Sequence, residues 1–87
     1  MSLIVQKYGG TSLKNISIIK KVAKKIQSLN LAGTKVVVIV SAMGNTTDSL
    51  IKKAHQISKN PSPREMDILL STGELVSSTL LSIALNS

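Results

Sequence analysis

The unbroken run of β-branched residues at Val36–Val40 constrains the fold more than any other part of this chain. A strand that is apolar at consecutive positions, rather than at alternate ones, is typical of a parallel sheet covered on both faces. A second apolar segment lies at Leu3–Lys7. Between the two is a segment with helical periodicity, Asn15–Leu29, followed by Gly33 as a helix breaker. Strand, helix and buried strand in this order predict a βαβ unit with a right-handed crossover, and therefore an α/β fold.

Helices are predicted for most of the sequence after the second strand, Lys35–Val40. One helix runs from about Thr46 to Lys59, and another begins at Pro63, because proline is favoured at the first helical position. Ser71–Glu74 is expected to interrupt this helix, so that a last helix reaches about Leu85. The residues expected to face the core are Ile16, Ile19, Val22, Ala23, Ile26 and Leu29 in the helix after the first strand, and Leu50, Ile51, Ala54 and Ile57 in the next.

Two strands are too few for the number of helices predicted. A strand buried on both faces needs neighbours on both edges, and three or four amphipathic helices need a wider sheet to cover. The 87 residues also have a mean hydropathy of +0.24, and they include neither Phe nor Trp. We therefore expect residues 1–87 to be the N-terminal part of a larger α/β domain, which alone would self-associate or fold poorly.

The net charge of +7 raises the question of nucleic-acid binding, but the positions of the lysines argue against it. Several lysines lie at helical spacing opposite the apolar residues of the first helix, which is typical of a solvated helix face. Tyr8 is the one aromatic residue of the sequence, so no row of aromatic side chains is available for stacking on bases. Nucleic acid is therefore not the partner that the sequence favours. The lysines concerned are Lys20, Lys21, Lys24 and Lys25.

The sequence gives no indication of a metal site or of a targeting segment. It contains no cysteine, which excludes disulfide bonds and thiolate metal ligands. The N-terminal apolar run is too short for a signal peptide. The apolar stretch Leu75–Leu85 is interrupted by serine and threonine, and it is shorter than the roughly 20 residues of a membrane helix. We expect a cytoplasmic protein without a membrane-spanning segment.

The segment Lys7–Ser12, directly after the first strand, has the composition of a phosphate-binding loop. Paired glycines allow the backbone to approach a phosphate closely, and amides at the start of a helix are unpaired and partly positive. Lys7 adds a full positive charge, and two hydroxyls can donate hydrogen bonds. An ordinary turn from strand to helix has the same composition, so the segment alone leaves both interpretations open. Its residues are Lys7, Tyr8, Gly9, Gly10, Thr11 and Ser12.

Two later segments are expected to lie near this loop. Ser41–Thr47 follows the second strand, and ligands of open α/β sheets bind beyond the carboxyl ends of parallel strands. The N-cap of the next helix is expected just before Thr47, whose own hydroxyl can then reach a carboxylate. The third segment is Ser71–Glu74. Its Glu74 carboxylate either closes a capping box with the serine three residues before it or binds the ammonium group of a substrate.

Taken together, the three segments resemble the N-terminus of the aspartate kinases, which belong to the amino acid kinase family. The likeness is carried by Lys7–Ser12, by Val40–Asp48, and by Arg64–Asp67 leading to Leu70–Glu74. It covers all 87 residues in order and spacing. The fold that it implies is the N-terminal βαβ unit and the following helices of an amino acid kinase parallel-sheet sandwich. That sandwich is incomplete here, because members of the family run to several hundred residues and carry regulatory ACT domains in later segments.

The resemblance also implies an activity. The aspartate kinases use ATP, with Mg²⁺, to phosphorylate the 4-carboxylate of L-aspartate on the route to lysine, threonine and methionine. By resemblance, the loop from Lys7 to Ser12 contacts the ATP phosphates, and Lys7 acts as the catalytic residue that neutralises charge on the transferred group. Ser41, Thr47 and Glu74 would bind the aspartate.

Three functions stay open at this point. The chain is the N-terminal part of an aspartate kinase, inactive until the remaining kinase segments or self-association complete it. Alternatively, it is a remnant without catalytic activity. The third possibility is a small basic module that binds phosphate-bearing ligands or nucleic acid, which has no need of the second and third segments. Nothing in the sequence separates the first two.

Overall fold

A computed structural model of the protein describes residues 2–87 and shows the mixed α/β fold that the sequence predicts. Two parallel strands form the sheet, and a short 3-10 helix, Gly10–Leu13, follows the first strand. The longer elements, in chain order, are β1 (Ser2–Tyr8), α1 (Ile16–Leu31), β2 (Thr34–Val40), α2 (Thr46–Ile57) and α3 (Pro63–Leu85).

The two strands pair over their full length. The register runs from Ser2 opposite Thr34 to Tyr8 opposite Val40, with α1 as the connection between the strands. This is the predicted βαβ unit. Because the strands are parallel and in register, both end at the same edge of the sheet, and the segments that follow them start side by side.

The core lies between one face of the sheet and the helices α1 and α3. The apolar stripe of α1 supplies most of it, as its periodicity predicts. Leu13 and Leu81 are added from the 3-10 helix and from α3, and both are almost fully buried. Ile16 differs from the expectation, because it is 50% exposed at the first turn of α1. The buried members of the cluster are Leu13, Ile19, Val22, Ala23, Ile26 and Leu81.

The second face of the sheet is open. Val36, Val38 and Val40 pack against the core cluster, whereas Val37 and Ile39 are 48% and 50% exposed. The prediction that this strand is buried on both faces is therefore wrong for the chain as described. The reason is that α1 and α3 both cover the same face, which leaves nothing for the other. The apolar residues on the open face are Leu3, Val5, Val37 and Ile39.

α2 is attached less firmly than the other helices. None of its residues is buried, and it packs mainly against α3. Leu50, Ile51 and Ala54 are half-buried, in agreement with the predicted inward face. Ile57 is 89% exposed, so its assignment to that face is wrong.

α3 is one continuous helix from Pro63 to Leu85, and the predicted interruption at Ser71–Glu74 is wrong. The hydroxyls that suggested a break are satisfied inside the helix. Ser71 Oγ donates to the carbonyl of Ile68 at 2.7 Å, and Thr72 Oγ1 donates to that of Leu69 at 2.6 Å. Such bonds to the preceding turn let serine and threonine remain in a helix without an alternative backbone conformation. Glu74 therefore closes no capping box.

By length and composition alone, α3 is apolar enough to cross a membrane, which corrects the shorter apolar span read from the sequence. The same test is passed by helices that pack inside globular proteins. In this fold α3 buries Gly73, Ser77 and Leu81 against the rest of the chain. Only 17% of the apolar span is buried, so α3 is not enclosed by this chain, and one such helix is weak evidence of a membrane segment.

The ends of α1 are fixed by local interactions. Asn15 is the N-cap, and its side-chain oxygen accepts a hydrogen bond from the Ile18 amide at 3.0 Å. At the other end Gly33 takes φ +93°, the left-handed conformation that glycine adopts at little cost. The N-cap of α3, Ser62, makes no such side-chain bond.

This difference between the caps predicts unequal effects on stability. Asn15→Ala should lower the free energy of unfolding by about 1 kcal/mol, because the Ile18 amide loses its acceptor. Ser62→Ala is the matched control and should change it by less than about 0.5 kcal/mol. Urea unfolding of the chain, followed by circular dichroism, measures both. Equal losses for the two variants would contradict the assignment.

Candidate active site

The segments after β1 and β2 are joined by hydrogen bonds at the carboxyl edge of the sheet. The Ser41 amide donates to the Tyr8 carbonyl at 3.0 Å, and the Gly44 amide donates to the Gly10 carbonyl at 3.0 Å. Ser41 Oγ also donates to the Tyr8 carbonyl, at 3.3 Å. The two segments therefore lie side by side, as expected from the ends of neighbouring parallel strands.

Gly10 is the point of closest approach between them. A Cβ atom added there would lie 2.9 Å from the Gly44 carbonyl oxygen and 3.3 Å from that of Ala42. Both contacts are with backbone, which cannot rotate away as a side chain can. Gly44 itself has φ +48°, so it too occupies a conformation that favours glycine. These two glycines are needed for the fold of the site.

Gly9 has no such structural reason to be glycine. A Cβ atom at this position would meet nothing within 4 Å, and its φ of −83° is ordinary for any residue. The missing side chain leaves the backbone beside Lys7 and Tyr8 open to approach from outside. One expectation needs correction, because the Ser12 amide is not unpaired: it donates to the Gly9 carbonyl at 3.1 Å in the 3-10 helix.

The side chains of the first segment differ in exposure. Lys7 is exposed and lies opposite Ile39 near the end of the open sheet face, while Thr11 and Ser12 are exposed on the 3-10 helix. Tyr8 is half-buried, and its hydroxyl donates to Gln6 Oε1 at 2.6 Å. An ammonium and two hydroxyls are thus available to a ligand, whereas the phenol is already engaged.

α3 is the third wall, and it contacts the second segment through two small residues. A Cβ atom at Gly73 would lie 2.9 Å from the Ala42 Cβ and 3.3 Å from the Thr46 Cγ2. One turn later, the fully buried Ser77 hydroxyl donates to the Ser41 carbonyl at 2.6 Å. The third predicted segment thus reaches the site, but on a helix rather than on a loop.

The predicted substrate-binding residues lie on different elements. Ser41 is half-buried at the end of β2, Thr47 is exposed in the first turn of α2, and Glu74 is exposed on α3. Glu74 lines an open depression of about 440 Å³, together with Val40, Ser71, Leu75 and Ser78. Within residues 2–87, no hydrogen bond joins the side chains of Thr47 and Glu74 to each other or to the first segment.

Sequence reasoning missed Gly73 and Ser77 as parts of this site. The available signal was their spacing, because residues four apart in a helix share a face, and Leu81 continues that face into the core. The predicted helix break at Ser71–Glu74 hid this periodicity. Within residues 2–87, no three His, Cys, Asp or Glu side chains come together as a metal site.

The fold and the meeting of the three segments define an α/β protein whose candidate ligand-binding loops lie at the carboxyl edge of a parallel sheet. A sequence profile of the amino acid kinase family matches residues 2–87. The chain belongs to this family, and within it the sequence is similar to the N-terminal segment of the aspartokinases.

The similar proteins cover the whole of this chain, but only a small part of their own length is matched. An aspartokinase of Mycolicibacterium smegmatis is 51% identical over 87 residues, and one of Geobacillus stearothermophilus is 55% identical over 86 residues. The chain spans 21% of the length of each. The crystal structure of aspartate kinase from Synechocystis superposes with a TM-score of 0.95 at 55% identity, covering 98% of this chain and 14% of that one.

The different surroundings of the two glycines give a test of the geometry. Gly10→Ala should lower the free energy of unfolding by about 1–3 kcal/mol, because the added methyl group pushes two backbone segments apart. Gly9→Ala should leave it unchanged or slightly raised, because its methyl group enters open space at a permitted φ. Urea unfolding of both variants checks this. Similar losses would mean that the loops do not approach as closely as described.

Proposed function

We propose that residues 1–87 are the N-terminal part of the catalytic domain of an aspartate kinase, which transfers the γ-phosphoryl group of ATP to the 4-carboxylate of L-aspartate. The observation that carries the proposal is the meeting of three segments at one edge of the sheet. Ser41 bonds to Tyr8 on one side and to Ser77 on the other. A binding module for nucleic acid would need only the basic surface. The convergence of the other two segments therefore favours the kinase.

The phosphate-binding side of the proposed site is Lys7–Ser12. The open space at Gly9 lets a phosphate oxygen approach the backbone, and the exposed Lys7 ammonium supplies a positive charge at the end of β1. The hydroxyls of Thr11 and Ser12 are exposed and can donate hydrogen bonds to phosphate oxygens. The segment Lys7–Ser12 therefore fits a nucleotide phosphate. Mg²⁺, which ATP carries on its phosphates, would neutralise further charge there.

The proposed aspartate side uses Ser41, Thr47 and Glu74. Glu74 is an exposed carboxylate with no hydrogen bond to a neighbouring side chain within residues 2–87, so it is available for the ammonium group of the substrate. Thr47 lies in the first turn of α2, where its hydroxyl can donate to a carboxylate. Ser41 lies between the phosphate side and the aspartate side, and it would line both.

The chemistry asked of these residues is positioning and charge stabilisation. In phosphoryl transfer, negative charge spreads over the oxygens of the transferred group, and no covalent enzyme intermediate is needed. Lys7 would hold this group and offset its charge. Glu74 and Thr47 would orient the aspartate so that its side-chain carboxylate faces the phosphate side.

The proposed partner is the rest of an aspartate kinase polypeptide. The open sheet face exposes Leu3, Val5, Val37 and Ile39, and burying such residues against further protein is favourable. The relatives have the additional length to supply that protein, because this chain spans only 21% of them. A cytoplasmic location belongs to the same proposal, since ATP-dependent amino-acid synthesis takes place there.

For the isolated 87-residue chain, we expect negligible phosphorylation of aspartate, because the segments that would complete the site and cover the open sheet face are missing. A coupled assay of ADP release with purified chain, ATP, Mg²⁺ and L-aspartate measures it. Turnover that disappears in the Lys7→Ala variant would contradict this expectation.

A chimera tests the phosphate side. In it, residues 1–87 replace the matching segment of the Geobacillus relative. Lys7→Ala should lower kcat by about 100-fold or more, because charge on the transferred group loses its counter-charge. Gly9→Ala should raise the KM for ATP without loss of stability. Lys35→Ala is the matched control, because Lys35 lies on the same open face at the far end of the sheet. Equal effects at Lys7 and Lys35 would overturn the assignment.

A further inference from the structure

Ser77 is a buried polar residue that the proposed function does not use. Its side chain is fully buried, and its hydroxyl lies 2.6 Å from the Ser41 carbonyl oxygen and 3.1 Å from the Glu74 carbonyl oxygen. A hydroxyl has a single hydrogen to donate. The shorter distance, which joins residues 36 positions apart, is therefore the principal bond. The longer one is the local contact that serine commonly makes within a helix.

Three other hydroxyl-bearing residues of α3 make a different kind of bond. Ser71, Thr72 and Ser78 are exposed, and each donates to a carbonyl three residues earlier in the same helix. Ser77 alone among these four joins α3 to another part of the chain. Stability of the helix is therefore not sufficient to explain a serine at this position.

Gly73 makes the bond possible. It lies one turn before Ser77 on the same face, and the absence of a side chain lets α3 approach Ala42 so closely that a Cβ atom would be 2.9 Å from the Ala42 Cβ. The pair fixes both the distance and the rotation of α3 against the segment after β2. Glu74 follows Gly73 directly, so the same contact determines where its carboxylate lies relative to Ser41 and Thr47.

We propose that Ser77 is a positioning residue. Its hydrogen bond to the Ser41 carbonyl holds the turn of α3 that carries Glu74 against the segment that carries Ser41 and Thr47, and it thereby sets the affinity for the amino-acid substrate. This inference rests on the proposed function, in which those three residues bind aspartate. Ser77 itself, fully buried beneath them, touches no ligand.

The test compares Ser77→Ala with Ser28→Ala, a serine of α1 outside the three segments, in the chimera. Ser77→Ala should raise the KM for aspartate about three- to tenfold, the effect of losing one buried hydrogen bond, while kcat and the KM for ATP change less than twofold. Ser28→Ala removes only an exposed bond to the Lys24 carbonyl and should change none of them. A purely structural role would instead reduce the amount of folded enzyme, which lowers apparent kcat at constant KM. That result would overturn the proposal.

Glu74→Gln separates a failure of this inference from a failure of the proposed function. If Glu74→Gln leaves the KM for aspartate unchanged, the proposed substrate site is wrong, and the positioning role falls with it. If Glu74→Gln raises this KM and Ser77→Ala does not, only the positioning role is overturned.

A second measurement needs no turnover. In the substrate-free chimera, Ser77→Ala should speed hydrogen exchange of the Ser41 amide about three- to tenfold, because Ser77 holds the segment in which this amide donates to the Tyr8 carbonyl. Ser28→Ala should leave the exchange rate unchanged. Equal exchange rates of Ser41 in the two variants would overturn the proposal, whatever the activity of the chimera.

Discussion

The backbone of Ser41 is the point on which the arrangement of this structure depends. Its amide donates to Tyr8 at the end of β1, and its carbonyl accepts from Ser77 on α3. The backbone of a single residue thus connects the sheet edge to the longest helix. Both bonds are partly buried, and leaving either group unpaired would cost more than the bond itself contributes. The close approaches at Gly10 and Gly73 complete this arrangement of the three segments.

The two adjacent glycines of the first segment, Gly9 and Gly10, differ in whether the fold requires them. Gly10 is required by the chain itself, because any side chain would meet the backbone of the neighbouring segment. Gly9 faces open space at an ordinary φ, so neither packing nor backbone conformation requires it. In the sequence the pair reads as one motif. In the structure, Gly10 allows the two loops to approach each other closely. Nothing in the described residues requires a glycine at position 9.

The sequence predicted the parts of the fold that local physics determines. The strands, the βαβ order, the start of a helix near Asn15 and its end at Gly33 follow from periodicity and from the conformational preferences of single residues. It failed where the same residues suit two different local structures. Ser71 and Thr72 indicated a helix end, but bonds within α3 satisfy their hydroxyls.

The burial of β2 and the contacts of the candidate site could also be predicted only in part from the sequence. The run at Val36–Val40 indicated a strand with both faces covered, because its composition suits that environment whether or not the covering layer is part of the chain. That the first two segments lie near one another could be anticipated from the rule for parallel sheets, which leaves the position of the third open. The contact of α3 with the second segment through Gly73 and Ser77 could not be anticipated, because it depends on how α3 lies across the end of β2.

The two-stranded sheet has a further consequence for the chain as it leaves the ribosome. Each strand is paired on one side only, so each presents a row of free amide and carbonyl groups along its other side. Such edges are templates for any extended polypeptide, above all where the side chains are branched and apolar. These edges therefore allow amyloid-like pairing between copies of the chain. Lys7 and Lys35 are the charged side chains that this sheet face offers against such pairing.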